Sequence, residues 1–300
     1  MKTQRPFRFG VVTAQADSSD EWVSKARRAE MLGYATFLVP DTLGPTLAPM
    51  PALAVAAAAT QSIHVGTFVL ANDFRNPVLV ARECAAIDFL SGGRFELGLG
   101  AGRPTAADDC RKLGIPFDSG GVRVDRLAEA LGIIKPLLSG QQVSATGVHY
   151  TVTDADNFPR PAQQPRPPIL VAGAGRRLLA LATREADIVA LAGRPDENRA
   201  IAEEKIEWLR QAAGSRFEQL EISVNLIAVG QHVPSWVPAR FGLDAQQLML
   251  SGSLAVLIGS LDQICDQLLE RREALGISYV TVGEAFMEAF APVVARLAGR

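Results

Sequence analysis

Cysteine and histidine are scarce in this 300-residue chain, with three of each. Cys84, Cys110 and Cys265 are scattered through segments that read as helix or loop, and no CxxC pair occurs. Neither a zinc site nor a disulfide framework has the spacing it needs. His64, His149 and His232 are equally dispersed, so all six residues are expected to be structural and no metal is expected. An excess of charge is missing too. Lys and Arg total 30 against 32 Asp and Glu, a net charge of -2. That balance argues against nucleic acid as a partner, because phosphate binding needs clustered basic residues. Long apolar runs are absent: the alanine-rich stretch Leu53 to Ala59 is too short to span a bilayer. The polar start, Met1 to Arg8, is followed by no run that resembles a signal peptide. The expectation is a soluble, cytoplasmic protein with no membrane partner.

What the chain does have is a core and a rhythm. At 48% hydrophobic, 300 residues can bury a large interior. Strand-like Phe7 to Thr13 leads to a helix from Asp20 to Leu32, stopped by Gly33. Ala35 to Pro40 is apolar without alternation, as a parallel strand covered on both faces should be. Helix Pro51 to Thr60, strand Ile63 to Leu70, helix Pro77 to Leu90 and strand Arg94 to Leu99 follow. A polar loop, a helix from Val122 to Leu138 and a small hairpin at Val143 to Val152 interrupt the repeat. The proline-dense segment Phe158 to Pro168 reads as an extended connection. Alternation then resumes with strands at Ile169 to Ala172, Ile188 to Leu191, Ile222 to Val229 and Tyr279 to Val282. Helices are expected at Arg177 to Glu185, Glu197 to Ala213, Leu261 to Leu275 and Glu284 to Ala298, while Gly230 to Ser253 is poorly patterned. About eight short parallel strands fit an α/β chain folded as an eightfold (β/α) TIM barrel, one domain over residues 1–300, with insertions at the C-terminal face. The alternative is two doubly wound halves split at the prolines.

Two glycine-rich turns carry the chemistry. In Leu90-Ser91-Gly92-Gly93-Arg94-Phe95-Glu96-Leu97-Gly98-Leu99-Gly100-Ala101-Gly102, a helix end turns into a strand that leaves through bare backbone. In Pro168 to Leu178, a strand ends in Gly173-Ala174-Gly175 and a helix begins at once with Arg176 and Arg177. The free N–H groups of a first helical turn favour an anion, and an arginine adds charge-assisted hydrogen bonds. A plain strand-to-helix turn is the other reading. The dinucleotide fingerprint fails here, since Leu178 stands where its third glycine belongs and no acidic residue closes a second strand. Asp41-Thr42, after the second strand, offers a carboxylate and a hydroxyl for a ligand or an Asx-type turn. Gly66 to Pro77 places polar residues past a strand, with Asn76-Pro77 reading as a helix entry.

These pieces together resemble the bacterial luciferase-like monooxygenases and their deazaflavin-dependent relatives. The resemblance rests on Gly66-Thr67 through Asn76-Pro77, Asp88 to Phe95, Gly98 to Gly102, Gly147-Val148-His149-Tyr150, the prolines into Ile169, Ala182 to Ile188 and Leu257 to Ser260. It implies an eightfold barrel with a flavin or deazaflavin across the strand carboxyl ends, and a cis non-prolyl peptide at or beside Phe68–Val69. It further implies that Asp41, Thr42, Phe68, Val69, Asn72, Ala101 and Gly102 contact the ring region. Gly173, Ala174, Gly175, Arg176 and Arg177 would hold the cofactor phosphate. The branch it resembles most uses coenzyme F-420, whose acidic tail would lie near Arg75, Arg103, Arg176 and Arg177; FMN is the alternative cofactor. Many deazaflavin enzymes carry Asp-His where this chain has Asp41-Thr42, and some carry glutamate where it has Arg103. No catalytic acid or base is therefore assigned, and His149 is read as part of the hairpin.

The implied activity is hydride transfer between bound deazaflavin and a small organic substrate, with Arg103 to Asp118 and Gly230 to Ser253 shaping the pocket. The alternatives are an FMN-dependent monooxygenase, which would need a partner reductase, and a non-catalytic cofactor-binding protein. A homodimer is expected from the resemblance.

Overall fold

The computed structural model describes residues 5–230 and 242–300, together with 233, 237 and 239. The expectations for His232 and for part of the Gly230 to Ser253 loop fall outside these residues. Along the chain run β1 (Arg8–Val12), α1 (Ser19–Met31), β2 (Thr36–Val39), α2 (Pro49–Ala59), β3 (His64–Thr67) and β4 (Leu70–Ala71). They continue with α3 (Pro77–Leu90), β5 (Phe95–Gly100), α4 (Ala106–Leu113), α5 (Gly120–Leu138), β6 (Val143–Thr146) and β7 (Thr151–Ala155). After β8 (Ile169–Gly173) come α6 (Arg176–Glu185), β9 (Ile188–Leu191), α7 (Arg199–Ala213), β10 (Glu221–Leu226) and β11 (Ala228–Gly230). The last elements are α8 (Ala245–Leu250), β12 (Val256–Ile258), α9 (Leu261–Leu275), β13 (Ile277–Gly283) and α10 (Met287–Leu297). Two compact units emerge. Unit one holds the chain up to Thr13, Arg28–Thr36 and Ala172–Arg300; unit two holds Ala14–Arg27 and Phe37–Val171. Among the described residues no helix is long and apolar enough to cross a membrane.

In unit one, β1, β13, β10 and β9 pair side by side and all parallel, with Val12 opposite Gly283 and Asn225 opposite Thr281. Phe9 is fully buried between Phe7 and the edge of Phe290, at ring separations of 5.8 and 5.6 Å. Polar groups thread these strands in pairs: Arg8 with Glu221 at 2.8 Å, and Thr281 donating to Asn225 Oδ1 at 2.9 Å. Pairing gives these buried polar groups partners, which is what makes their burial tolerable, whereas the buried Ser223 and Ser278 hydroxyls of the same strands have none among the described residues.

Unit two is built on β3, β4 and β5. β3 pairs with the first half of β5, and β4 pairs with its second half, Ala71 opposite Gly100. Trp22 packs edge-on to Phe37 at 5.2 Å and donates its indole N–H to the Ala52 carbonyl. The turn after α3 uses Gly92 and Gly93 at φ +68° and +85°, the left-handed region that the Gly-Gly pair permits. Arg94 then donates to the carbonyls of Ala57 and Ile63, tying the end of α2 to β5's entry. The proline-rich segment is tied back to unit two. Buried Asp88 accepts from both the backbone N–H and the side-chain amide of Gln163, at 2.9 and 2.6 Å.

Three stretches differ from the sequence expectation. The polar loop after Gly102 contains α4, whose Asp108 pairs with Arg111 and Lys112 across one turn and which buries little besides Ala106, Asp109 and Cys110. Its apolar stripe is too thin to register as periodicity. The strand expected over Ile63 to Leu70 breaks after Thr67 and restarts at Leu70. The strand expected over Ile222 to Val229 ends at Leu226, because the Ile227 N–H turns to the Ala255 carbonyl and β11 pairs with β12.

Candidate active site

The break between β3 and β4 organises unit two's carboxyl strand ends. Thr67 Oγ1 accepts from the Gly98 N–H and donates to the Gly98 carbonyl, both at 2.8 Å, so the two strands are cross-linked there by a side chain. The Phe68 N–H turns to the Val39 carbonyl at 2.8 Å. The Phe68–Val69 peptide is cis, at the position the resemblance implies. Phe68 and Val69 are half-buried, Asn72 is buried just beyond β4, and Ala101 and Gly102 leave β5 beside them in register. Gly102 has φ +82°.

Asp41 is brought into this cluster by two partners. Its Oδ2 accepts from the Ala71 N–H at 3.0 Å and from Arg75, while Oδ1 accepts from Arg75 Nη2 at 3.2 Å. The side chain is only 4% exposed. Its carboxylate is thus occupied in holding β4 and aiming Arg75, and it makes no Asx-type turn. Thr42 faces its own loop, 3.4 Å from the Thr46 hydroxyl. Asn76 caps α3 by accepting from the Val78 N–H, as expected.

Arg75 opens onto a cavity of about 290 Å³ lined by Asp73, Arg75, Asn76, Ile115, Pro116, Arg126, His149 and Tyr150. Arg126, from α5, pairs with Asp73 at 2.9 Å and with Asp118. Burial works against the Arg126 charge, but the hydrogen bonds it donates to Asp118 and Asp73 outweigh it and hold its pKa above the ordinary value. The Tyr150 hydroxyl lies 3.3 Å from Asn72 Nδ2, and burial pushes the phenol pKa up, so it stays neutral. His149 was expected to be a structural part of the hairpin, yet it lines this cavity. Asp73, Arg126 and Tyr150 had no assigned role in the sequence reading. Their signal was weak, since α5 is polar on its outer face and the partners are far apart in the chain.

The remaining expected residues form a separate cluster in unit one. Gly173 is buried at the end of β8, and a Cβ on it would lie 2.7 Å from Leu178 Cγ. Close packing by Leu178 therefore explains that glycine. Gly175, the N-cap of α6, has open space where a Cβ would stand and supplies no side-chain cap. The first-turn N–H groups have no capping side chain, and exposed Arg176 and Arg177 follow. This turn fits a phosphate group. The half-buried, uncharged Phe68–Val69 surface with the Asn72 amide beside it fits a planar polar ring.

Cys84, Cys110 and Cys265 are buried in helices, and burial raises all three thiol pKa values. They are inert packing groups.

Comparison with known proteins places this geometry. A structure of a coenzyme F420-dependent tetrahydromethanopterin reductase from Methanopyrus kandleri superposes with a TM-score of 0.78 at 19% identity, over 97% of this chain and 99% of the other. The fold is the eightfold α/β (TIM) barrel, as expected. In sequence, an F420-dependent glucose-6-phosphate dehydrogenase from Beutenbergia cavernae is 34% identical over 167 residues, 53% of this chain and 48% of that one. An F420-dependent hydroxymycolic acid dehydrogenase from Mycobacterium tuberculosis is 32% identical over 188 residues, 59% of this chain and 50% of that one. The chain spans about half the length of these curated relatives. Residues 5–232 match the family described as luciferase-like monooxygenase, and the chain belongs to that family.

Proposed function

We propose that the chain, acting as a single domain, is a coenzyme F-420-dependent oxidoreductase that moves a hydride between the bound deazaflavin and a small organic substrate. Relatives named as F420-dependent dehydrogenases support the cofactor. The observation that carries the reading is the Thr67–Gly98 cross-link, which holds half-buried Phe68 and Val69 as a fixed, uncharged surface at the strand ends beside Asn72. When bound, the deazaflavin supplies a ring carbon that accepts or gives up a hydride.

The protein's share is binding, orientation and exclusion of water. Phe68, Val69, Ala101 and Gly102 would back the ring, and the Asn72 amide would donate to its polar edge. Asp41 acts through Arg75, fixing the guanidinium so that no rotamer freedom is lost on binding. Gly173 to Arg177 would hold the phosphate at the α6 start, with backbone N–H groups and arginine charge acting together. A homodimer belongs to the same proposal. The family description favours a second reading, an FMN-dependent monooxygenase served by a partner reductase.

Turnover separates them. The purified protein with F-420 is offered a panel of primary and secondary alcohols and their carbonyl counterparts under nitrogen. Loss of the oxidised deazaflavin absorbance with one of the alcohols is expected. Oxygen uptake with reduced FMN, and no change with F-420, would overturn the proposal in favour of the monooxygenase.

A further inference from the structure

Helix α5 begins without a side chain to close its start. Its N-cap residue, Ser119, makes no side-chain cap, and Gly120 and Gly121 follow as bare backbone. The first N–H to enter the helical ladder is that of Arg123, donated to the Ser119 carbonyl at 3.1 Å. The N–H groups of Gly120, Gly121 and Val122 before it face out of the helix end, where the dipole is positive. Ser119, Gly120 and Val122 are exposed, so this end is open to solvent.

A helix start alone is ordinary, and Arg123 sets this one apart. Side chains on a helix lean toward its N-terminus, and this one folds back over the first turn. Its guanidinium stacks on the Phe117 ring, with Cζ 4.0 Å from the centroid, and Nη2 lies 3.8 Å from where a Cβ on Gly120 would stand. The residue is 9% exposed, and among the described residues nothing accepts a hydrogen bond from its buried Nε or Nη1. Charged groups nearby are committed elsewhere. On α5, Arg126 pairs with Asp73 and Asp118, and Glu129 accepts from the N–H groups of Val148, His149 and Tyr150 at 3.0, 2.8 and 3.2 Å. On α4, Asp109 has Lys112 as its ion partner at 3.9 Å. A buried guanidinium without an acceptor is costly, because its lost hydration is not replaced. Stacking on Phe117 fixes the plane of the group but supplies no acceptor for its N–H bonds.

We propose that the start of α5 is a binding site for a phosphate-sized oxyanion, held by the N–H groups of Gly120, Gly121 and Val122 together with the Arg123 guanidinium. Free inorganic phosphate and the phosphoryl group of a small metabolite share that chemistry. Successive backbone donors and a forked cation suit a tetrahedral ion, which offers more acceptor oxygens than a carboxylate. The site is made by unit two alone, whereas the Gly173 turn belongs to unit one, and it stands independently of the deazaflavin reading.

Residue-resolved NMR of the full chain tests it. Inorganic phosphate and, separately, glycerol phosphate are titrated at pH 7 against chloride of equal ionic strength. Both are expected to shift the amide signals of Gly120, Gly121 and Val122 together with the Arg123 Nε–H signal, with a Kd of about 1 mM or tighter. The tighter of the two identifies the source of the anion. Arg123→Gln is expected to weaken binding by about tenfold or more. Should that variant not fold, Ser119→Asp replaces it, since an aspartate N-cap satisfies the helix start while its charge repels the anion. A loss of about fivefold or more is then expected, with a melting temperature equal to wild type or higher. Arg176→Ala combined with Arg177→Ala is expected to leave these shifts unaltered. Phosphate shifts confined to residues 175–177, shifts no larger than those of chloride, or wild-type affinity in Arg123→Gln or Ser119→Asp would overturn the proposal.

Discussion

The Cα of Gly98 lies so close under the Thr67 carbonyl that a Cβ built on it would stand 2.0 Å from that oxygen and 2.9 Å from Val69 Cγ1. The contact is backbone on one side, so nothing flexible can yield. Gly98→Ala is expected to destabilise the protein by about 3 kcal/mol, at the upper end for overpacking, or to prevent its soluble accumulation. Gly132→Ala, in α5 with open space around its Cα, is expected to stabilise by about 0.5–1 kcal/mol. Urea unfolding of the two variants checks the contrast; equal effects would contradict it.

Asp41 holds Arg75 through both oxygens and takes the Ala71 N–H as well. Asp41→Asn keeps the shape but removes the charge that balances a partly buried guanidinium. A loss of about 1–3 kcal/mol is expected in chemical denaturation, with F-420 affinity at least about tenfold weaker because Arg75 is no longer fixed. Wild-type affinity in this variant would show that Arg75 needs no orientation.

Much of the frame was legible because local signals agreed with the fold. Pro77 after a capping Asn76 marks the start of α3, and the left-handed Gly276 ends α9 directly after Leu275. Ile188–Leu191 is a short apolar run that begins directly after Asp187, and the strand has those bounds. The break after Thr67 was not legible in the run itself, since Ile63 to Leu70 is continuously strand-like and its bonds reach Gly98, thirty-one residues away; only the family resemblance placed an irregular peptide at Phe68–Val69. α4 was hidden because it is polar on most of its surface. The site divides in the same way. Residue types at Asp41, Asn72 and Gly175 suggested ligand contacts, whereas the Asp41–Arg75 pair and the capture of His149's backbone by Glu129 depend on partners brought together only by folding.

Glu129 carries a pH signature. Burial pushes its carboxyl up, but the N–H donors of His149, Val148 and Tyr150 outweigh that and hold its pKa below the usual value. A depressed folded-state pKa contributes stability above the unfolded value of about 4.3, lost as pH falls through the folded value. Glu129→Gln is therefore expected to be less stable than wild type at pH 7, by about 1–3 kcal/mol. The gap is expected to close below about pH 4. Thermal melts of both proteins at pH 3–8 check it, and a gap independent of pH would contradict the ionic clamp.

Arg176 and Arg177 are exposed at the α6 start. Replacing both with alanine is expected to leave stability within about 0.5 kcal/mol. F-420 binding is expected to weaken by about tenfold at low salt, with a smaller penalty at high salt. Fluorescence titration at two ionic strengths decides it. An unaltered affinity would return the Gly173 turn to a packing role.

The most direct test of the whole account is a paired titration of the purified protein with coenzyme F-420 and with FMN, followed by fluorescence under the same conditions. The account predicts micromolar or tighter F-420 binding, with FMN at least about tenfold weaker. FMN binding more tightly than F-420, or neither binding, would contradict it.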